Sequence, residues 1–119
     1  MGQSSSQASV FYSEVIKSGI VWGIKDAQGF PAPLNSEGKR AMPFWSSESR
    51  AELIIKNSEN YSLFKPVAIP FKDFYEKWID GLNRDGLLVG INWSGKNATG
   101  FDISPVDLKS NLDANQNVT

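Results

Sequence analysis

Asp85-Gly86-Leu87-Leu88-Val89-Gly90-Ile91-Asn92-Trp93 is the stretch on which the fold turns. Asp-Gly is a turn pair, with glycine supplying positive φ. The apolar run behind it reads as a strong strand, and its continuity predicts a central position covered on both faces for part of its length. Just upstream, Phe71, Phe74, Tyr75, Trp78, Ile79 and Leu82 fall at i, i+3, i+4, i+7, i+8 and i+11. That stripe predicts a helix opening at Pro70, where the missing N–H costs nothing, and ending at Asn83-Arg84-Asp85-Gly86.

Downstream, Ser94 to Ala98 is turn-rich and Gly100 to Ile103 reads as one more strand. Ser104-Pro105-Val106-Asp107 then opens a last helix, with serine as cap and proline in the first position, packed by Leu108 and Leu112. Toward the N-terminus, Val10, Phe11, Val15 and Ile16 form an apolar face on a short helix from about Ser6 to Lys17, stopped by Gly19. Ile20 to Ile24 is a β-branched and aromatic strand. Asp26-Ala27-Gln28-Gly29 is a turn, Phe30 to Leu34 is at best an edge strand because of its two prolines, and Asn35-Ser36-Glu37-Gly38 turns again. Ala41 to Trp45 is a third short strand, and the three together suggest an antiparallel meander. Ser46 or Ser47 caps a helix to about Asn57, with Ala51, Ile54 and Ile55 inward. A strand follows around Lys65–Ile69. The order α-β-β-β-α-β-α-β-β-α predicts the α+β class: a mostly antiparallel sheet with about four helices packed on it. One domain is expected over residues 8–113, between flexible polar ends at 1–7 and 114–119.

The chain has 119 residues and 40% hydrophobic residues, enough for one self-sufficient core. With a net charge of -1 and scattered basic residues, it has no electrostatic footprint for nucleic acid. It contains no cysteine and no histidine, which removes disulfides, thiolate chemistry, the usual metal ligands and the commonest general base. No metal and no cofactor is therefore expected. No apolar run has the length of a membrane span, and no secretory leader is recognisable, so the expected compartment is the cytoplasm. Met1-Gly2-Gln3-Ser4-Ser5-Ser6 fits the loose myristoylation pattern but reads as a polar N-terminus. Asn97-Ala98-Thr99 fits a glycosylation sequon and, without a leader, reads as chance.

No phosphate loop is present, since Gly86 and Gly90 flank a strand rather than feed a helix. Asp26 and Asp85 are the carboxylates that acid–base chemistry would use, provided they face each other across a cleft at about 5–10 Å. The plainer reading is that both serve turns, and that Asp73, Glu76 and Asp80 make a solvated helix face. The tryptophans carry more. Trp78 belongs to the helical stripe, while Trp22, Trp45 and Trp93 lie in strands or at strand ends, each followed by glycine or serine. Rings so placed are core with a bonded indole N–H, or part of a binding surface. The candidate site is thus Trp22, Asp26, Trp45, Ser46, Asp85, Asn92 and Trp93.

Several blocks resemble a known family: Val21-Trp22-Gly23-Ile24-Lys25-Asp26 with Gly29, Pro43-Phe44-Trp45-Ser46, Ala51-Glu52, Pro66 with Ile69-Pro70, Phe74, Trp78 and Leu82, and the Asp85–Trp93 block. Over about residues 10 to 112 the chain resembles the small bacterial domain-of-unknown-function family 2750. The resemblance implies a bacterial, stand-alone cytoplasmic protein and transfers no activity or catalytic residue.

Three functions remain. The first is a non-enzymatic module that binds another protein, of the immunity type by analogy of size and class. The second is a small-molecule binder with a pocket walled by Trp22, Trp45 and Trp93 and polar contacts from Asp26, Asp85 and Asn92. The third is a carboxylate enzyme using Asp26 and Asp85.

Overall fold

A computed structural model of the chain describes residues 2–116. In order, the elements are α1 (Gly2–Ser18), β1 (Ile20–Lys25), β2 (Ala41–Phe44), α2 (Glu48–Asn57), a 3₁₀ turn (Glu59–Tyr61), β3 (Lys65–Pro70), the composite helix α3 over 71–84, β4 (Leu88–Ser94), β5 (Thr99–Ile103) and α4 (Pro105–Gln116). The first helix starts earlier than the apolar pattern predicts, and α4 runs to Gln116. Met1 and the last three positions of the expected flexible ends lie outside the described residues.

The strands form two small sheets, β3-β1 and β2-β4-β5. Both β1–β3 and β4–β5 are antiparallel, whereas β2 and β4 run parallel. The sheets meet at one antiparallel bridge between Trp22 and Trp45, whose amides and carbonyls exchange hydrogen bonds of 2.8 and 2.7 Å. The architecture is α+β, with β4 between two partners as its apolar run predicts.

The expected meander does not form. Phe30 to Leu34 contributes only an isolated bridge from Leu34 to Arg40, because Pro31 and Pro33 cannot donate to a ladder. The segment instead loops over the sheet and lays the Phe30 ring edge-on to Trp78 at 4.9 Å. Gly23 makes that possible, since a Cβ there would fall 2.9 Å from Phe30.

Cap chemistry sets the helix ends. Ser47 accepts from the Arg50 amide and Ser104 from the Asp107 amide. Gly19, at φ +76°, closes α1 by donating to the Val15 carbonyl. Within α3 the middle turn, Phe74–Trp78, is π-helical, and Ile79 N–H donates to the Phe74 carbonyl. In an α-helix residues five apart sit about 140° from each other around the axis. The wider turn instead lets Phe74 and Ile79 both enter the core.

The core has two parts on opposite faces of the sheet. Phe11 and Val15 of α1, Phe74 and Ile79 of α3, and Leu108 and Leu112 of α4 pack on the face that carries Val21, Phe44, Val89 and Ile91. On the other face Ala51 and Ile54 of α2 pack with Ile24, Ala41, Trp45, Tyr61, Trp93 and Ala98. Truncating a fully buried ring such as Phe11 or Phe74 to alanine is expected to cost about 3–5 kcal/mol. No described helix is long and apolar enough to cross a membrane.

Candidate binding site

The site is built on the last residues of β4. Strand alternation would place Trp93 on the face of Val89 and Ile91. It belongs to the opposite cluster, because Asn92 takes a left-handed conformation, φ +48°, and the β4–β5 register shifts between Ile91 and Ser94. This is a bulge, and it turns the indole over. Asparagine tolerates that conformation better than most residues.

The turned indole lies across two strands where neither has a side chain. A Cβ on Gly90 would fall 2.4 Å from Trp93 Cε2, and one on Gly100 would fall 2.9 Å from Trp93 Cδ1. Trp93 Nε1–H donates to Asp102 Oδ1 at 2.8 Å, on the neighbouring strand. Asp102 Oδ2 accepts from Asn35 Nδ2 at 3.1 Å, and Asn35 Oδ1 accepts from the amides of Glu37 and Lys39. One carboxylate therefore ties β5, the Trp93 ring and the 35–39 turn together. The Trp93 carbonyl accepts from the Trp45 indole at 2.8 Å.

Asn92 is held by a polar knot on the other side of the strand. Its Oδ1 accepts from the Ser46 amide at 2.9 Å, and its Nδ2 donates to Ser46 Oγ at 3.0 Å. Ser46 Oγ donates to Glu14 Oε1 at 2.5 Å, and Arg50 pairs with the same carboxylate at 3.2 Å. Partial burial pushes the Glu14 carboxyl up, but the Ser46 hydroxyl and the Arg50 guanidinium outweigh it and hold it below the ordinary range. Among the described residues no buried side-chain nitrogen or oxygen lacks a partner.

Two clefts flank Trp93. The larger, about 330 Å³, is lined by Asn35, Asn60, Tyr61, Thr99 and Asp102 besides Trp93, with Leu34 on its wall. The smaller, about 120 Å³, lies toward α2, between Arg50, Leu53, Asn57 and the Asn92–Gly95 backbone. The first has the size of a small-ligand pocket.

The seven residues singled out from sequence divide into two groups. Trp22, Trp45, Ser46, Asn92 and Trp93 come together at the seam between the sheets. Within that group, Trp45 is fully buried and Trp93 is 5% exposed, so Trp45 touches no solvent and Trp93 shows the large cleft only a margin of its ring. Trp22 is half-buried against the same cluster. Asp26 and Asp85 are not part of this group. Asp26 Oδ1 accepts from the Gln28 amide in its turn. Asp85 is exposed beyond α3, beside a separate cleft of about 270 Å³ with Met42, Trp78 and Leu87. Sequence reasoning missed Asp102 and Asn35. A signal for Asp102 existed, since aspartate is depleted in strands and this one interrupts Gly100–Ile103. Among the described residues no three carboxylates gather as a metal site.

The fold and the seam define a small α+β domain with a polar cleft at one end of its sheet. The chain belongs to the family described as "Protein of unknown function (DUF2750)", which it matches over residues 8–112. No curated protein matches it. Among solved structures, one described as Anabaena Tic22 (protein transport) is similar at a TM-score of 0.40 and 14% identity, over 70% of this chain and 44% of that one. This chain thus spans less than half of that structure's length.

Proposed function

We propose that this is a non-enzymatic binding domain of a bacterial cytoplasm whose ligand is a small molecule held in the large cleft beside Trp93. The observation that carries the reading is the cleft of about 330 Å³ with a carboxylate, Asp102, oriented by Trp93 and Asn35 before anything binds. Preorganised polar groups on a partly apolar wall are what small-molecule sites use for orientation and specificity. The test is a screen of metabolite and fragment mixtures by ¹H–¹⁵N NMR. Ligands should move the Trp93 indole N–H, assigned by its loss in Trp93→Phe, together with the Thr99–Asp102 amides. A collection that binds elsewhere, or nowhere, refutes it.

A second reading, a partner protein of the immunity type, has its own observation. Leu34 and Leu53 are both more than half exposed and stand on the walls of the large and small clefts respectively. If a partner seats here, a pull-down from the host should recover one protein, and Leu34→Asp with Leu53→Asp should release it.

A further inference from the structure

The large cleft carries a single formal charge. Among the described residues, Asp102 is its only ionisable lining group apart from the phenol of Tyr61, and neither lysine nor arginine lines it. The ion pairs among the described residues are Glu14–Arg50 and Lys109–Asp80, so Asp102 belongs to neither. Both of its hydrogen bonds come from neutral donors, the Trp93 indole and the Asn35 amide. Each carboxylate oxygen can accept two hydrogen bonds, which leaves one acceptor position on each. A half-buried negative charge answered only by dipoles is best complemented by a charged donor.

The remaining walls narrow the choice. Asn60, Asn97 and Thr99 add further acceptors, while Leu34, Tyr61 and Ala98 supply apolar surface. An ammonium group brings three donors and no acceptor. The geometry points to a primary ammonium compound with a short aliphatic body as the ligand of this cleft, its nitrogen against Asp102 and its chain along Leu34 and Tyr61. This rests on the cleft being the binding site. The same chemistry is offered by a free alkylamine and by a lysine side chain of a polypeptide, and the two are separable by experiment.

The full-length chain is titrated with n-butylammonium, Nα-acetyl-lysine methylamide, n-butanol and n-butyrate, reading the Trp93 indole N–H and the Thr99–Asp102 amides. Both amines should saturate with roughly millimolar dissociation constants, as fits ligands this small. Butanol should bind about threefold to fivefold more weakly than butylammonium, the upper part of what a single partly exposed charge contact contributes, and butyrate, which meets Asp102 with a like charge, more weakly still. The tighter of the two amines identifies the source. Asp102→Asn keeps an acceptor for the Trp93 indole, so the fold survives, and should weaken the amines at least about fivefold. Thr99→Lys, at an exposed lining position, supplies an ammonium from the protein itself and should abolish binding. Butanol binding as tightly as butylammonium, or an Asp102→Asn protein with unchanged affinity, overturns the amine assignment and leaves the cleft standing. If no probe of any charge moves these resonances, the cleft falls with it.

Discussion

Replacing Gly90 with alanine would place a methyl carbon 2.4–2.6 Å from three atoms of the Trp93 indole, Cε2, Nε1 and Cζ2. Carbon atoms rest at about 3.5–4.0 Å, so the ring must move by roughly 1 Å. It has little room to do so. Its N–H is bonded to Asp102, its own carbonyl holds the Trp45 indole, and on the next strand a Cβ at Gly100 would already fall 2.9 Å from the ring. Overpacking of this kind costs about 1–3 kcal/mol. Losing or lengthening a hydrogen bond to a charged acceptor costs about 1.5–3 kcal/mol, taken at its lower end because Asp102 is partly exposed. The sum is about 3 kcal/mol. With a urea m-value of about 1.5 kcal/mol/M, suited to a domain of this size, the unfolding midpoint should fall by about 2 M. Far-UV circular dichroism reads the midpoint without relying on the perturbed ring. The mechanism is isolated by repeating the substitution in a Trp93→Leu background, where there is no indole to strike. There Gly90→Ala should cost little, giving a coupling of at least about 1 kcal/mol. Equal costs in the two backgrounds would show that the backbone of β4, and not the indole, needs the glycine, and the account of the ring's seat would be wrong.

Asn92→Ala should destabilise by about 2–4 kcal/mol, through left-handed strain on an ordinary residue and a buried Ser46 amide left without its acceptor. Asn92→Gly should cost about 1 kcal/mol less, because it relieves only the strain; equal losses by urea unfolding would remove the conformational part of the argument. Glu14 titrates low in the folded protein, so it contributes stability that is present above the ordinary glutamate range near 4.5 and is lost as pH falls through the depressed folded value. Glu14→Gln or Ser46→Ala should flatten that acid limb of midpoint against pH, and an unchanged limb would count against the knot. All three tyrosines are raised: Tyr12 chiefly by burial with the Asp107 charge adding, Tyr61 by burial, and Tyr75 by its hydrogen bond to Asp113. The contribution of the half-buried Tyr12 and Tyr61 to stability is whole below pH 10 and disappears as pH rises through their folded values, so their tyrosinate absorbance should appear above pH 10 and together with unfolding.

What the chain discloses by itself follows the range of the forces involved. The stripe from Phe71 to Leu82, the Ser47 and Ser104 caps and the apolar run of β4 are local patterns, and each lies where its pattern predicts. Even there, the π turn at Phe74–Trp78, through which Phe74 and Ile79 are both buried, is not announced by the helical period. The parallel pairing of β2 with β4 depends on contacts more than forty residues apart, so spacing alone suggested a meander instead. Trp22, Trp45, Ser46, Asn92 and Trp93 do meet, but through the parallel β2–β4 pairing and the Trp22–Trp45 bridge and not through the meander their spacing suggested. The facing of Trp93 was not foreseeable. It depends on one residue, Asn92, entering a backbone region that period-two reasoning excludes. Once the ring is turned, its partner becomes Asp102, which lines the cleft, while Asp26 and Asp85 serve a turn and border a different cleft.

The seam between the two sheets has a consequence for motion. Among the described residues, the backbone hydrogen bonds that join β1 and β3 to the other three strands are those that the Trp22 and Trp45 amides donate to each other's carbonyls. Their exchange with deuterated solvent therefore times the parting of that two-stranded flap from the remaining three strands, separately from global unfolding. The Trp45 indole sits on this bridge and is fastened at its other end to Trp93. Any parting of the two sheets would therefore be felt at the wall of the cleft, and a ligand gripping that wall is expected to slow the exchange of two amide protons it never touches.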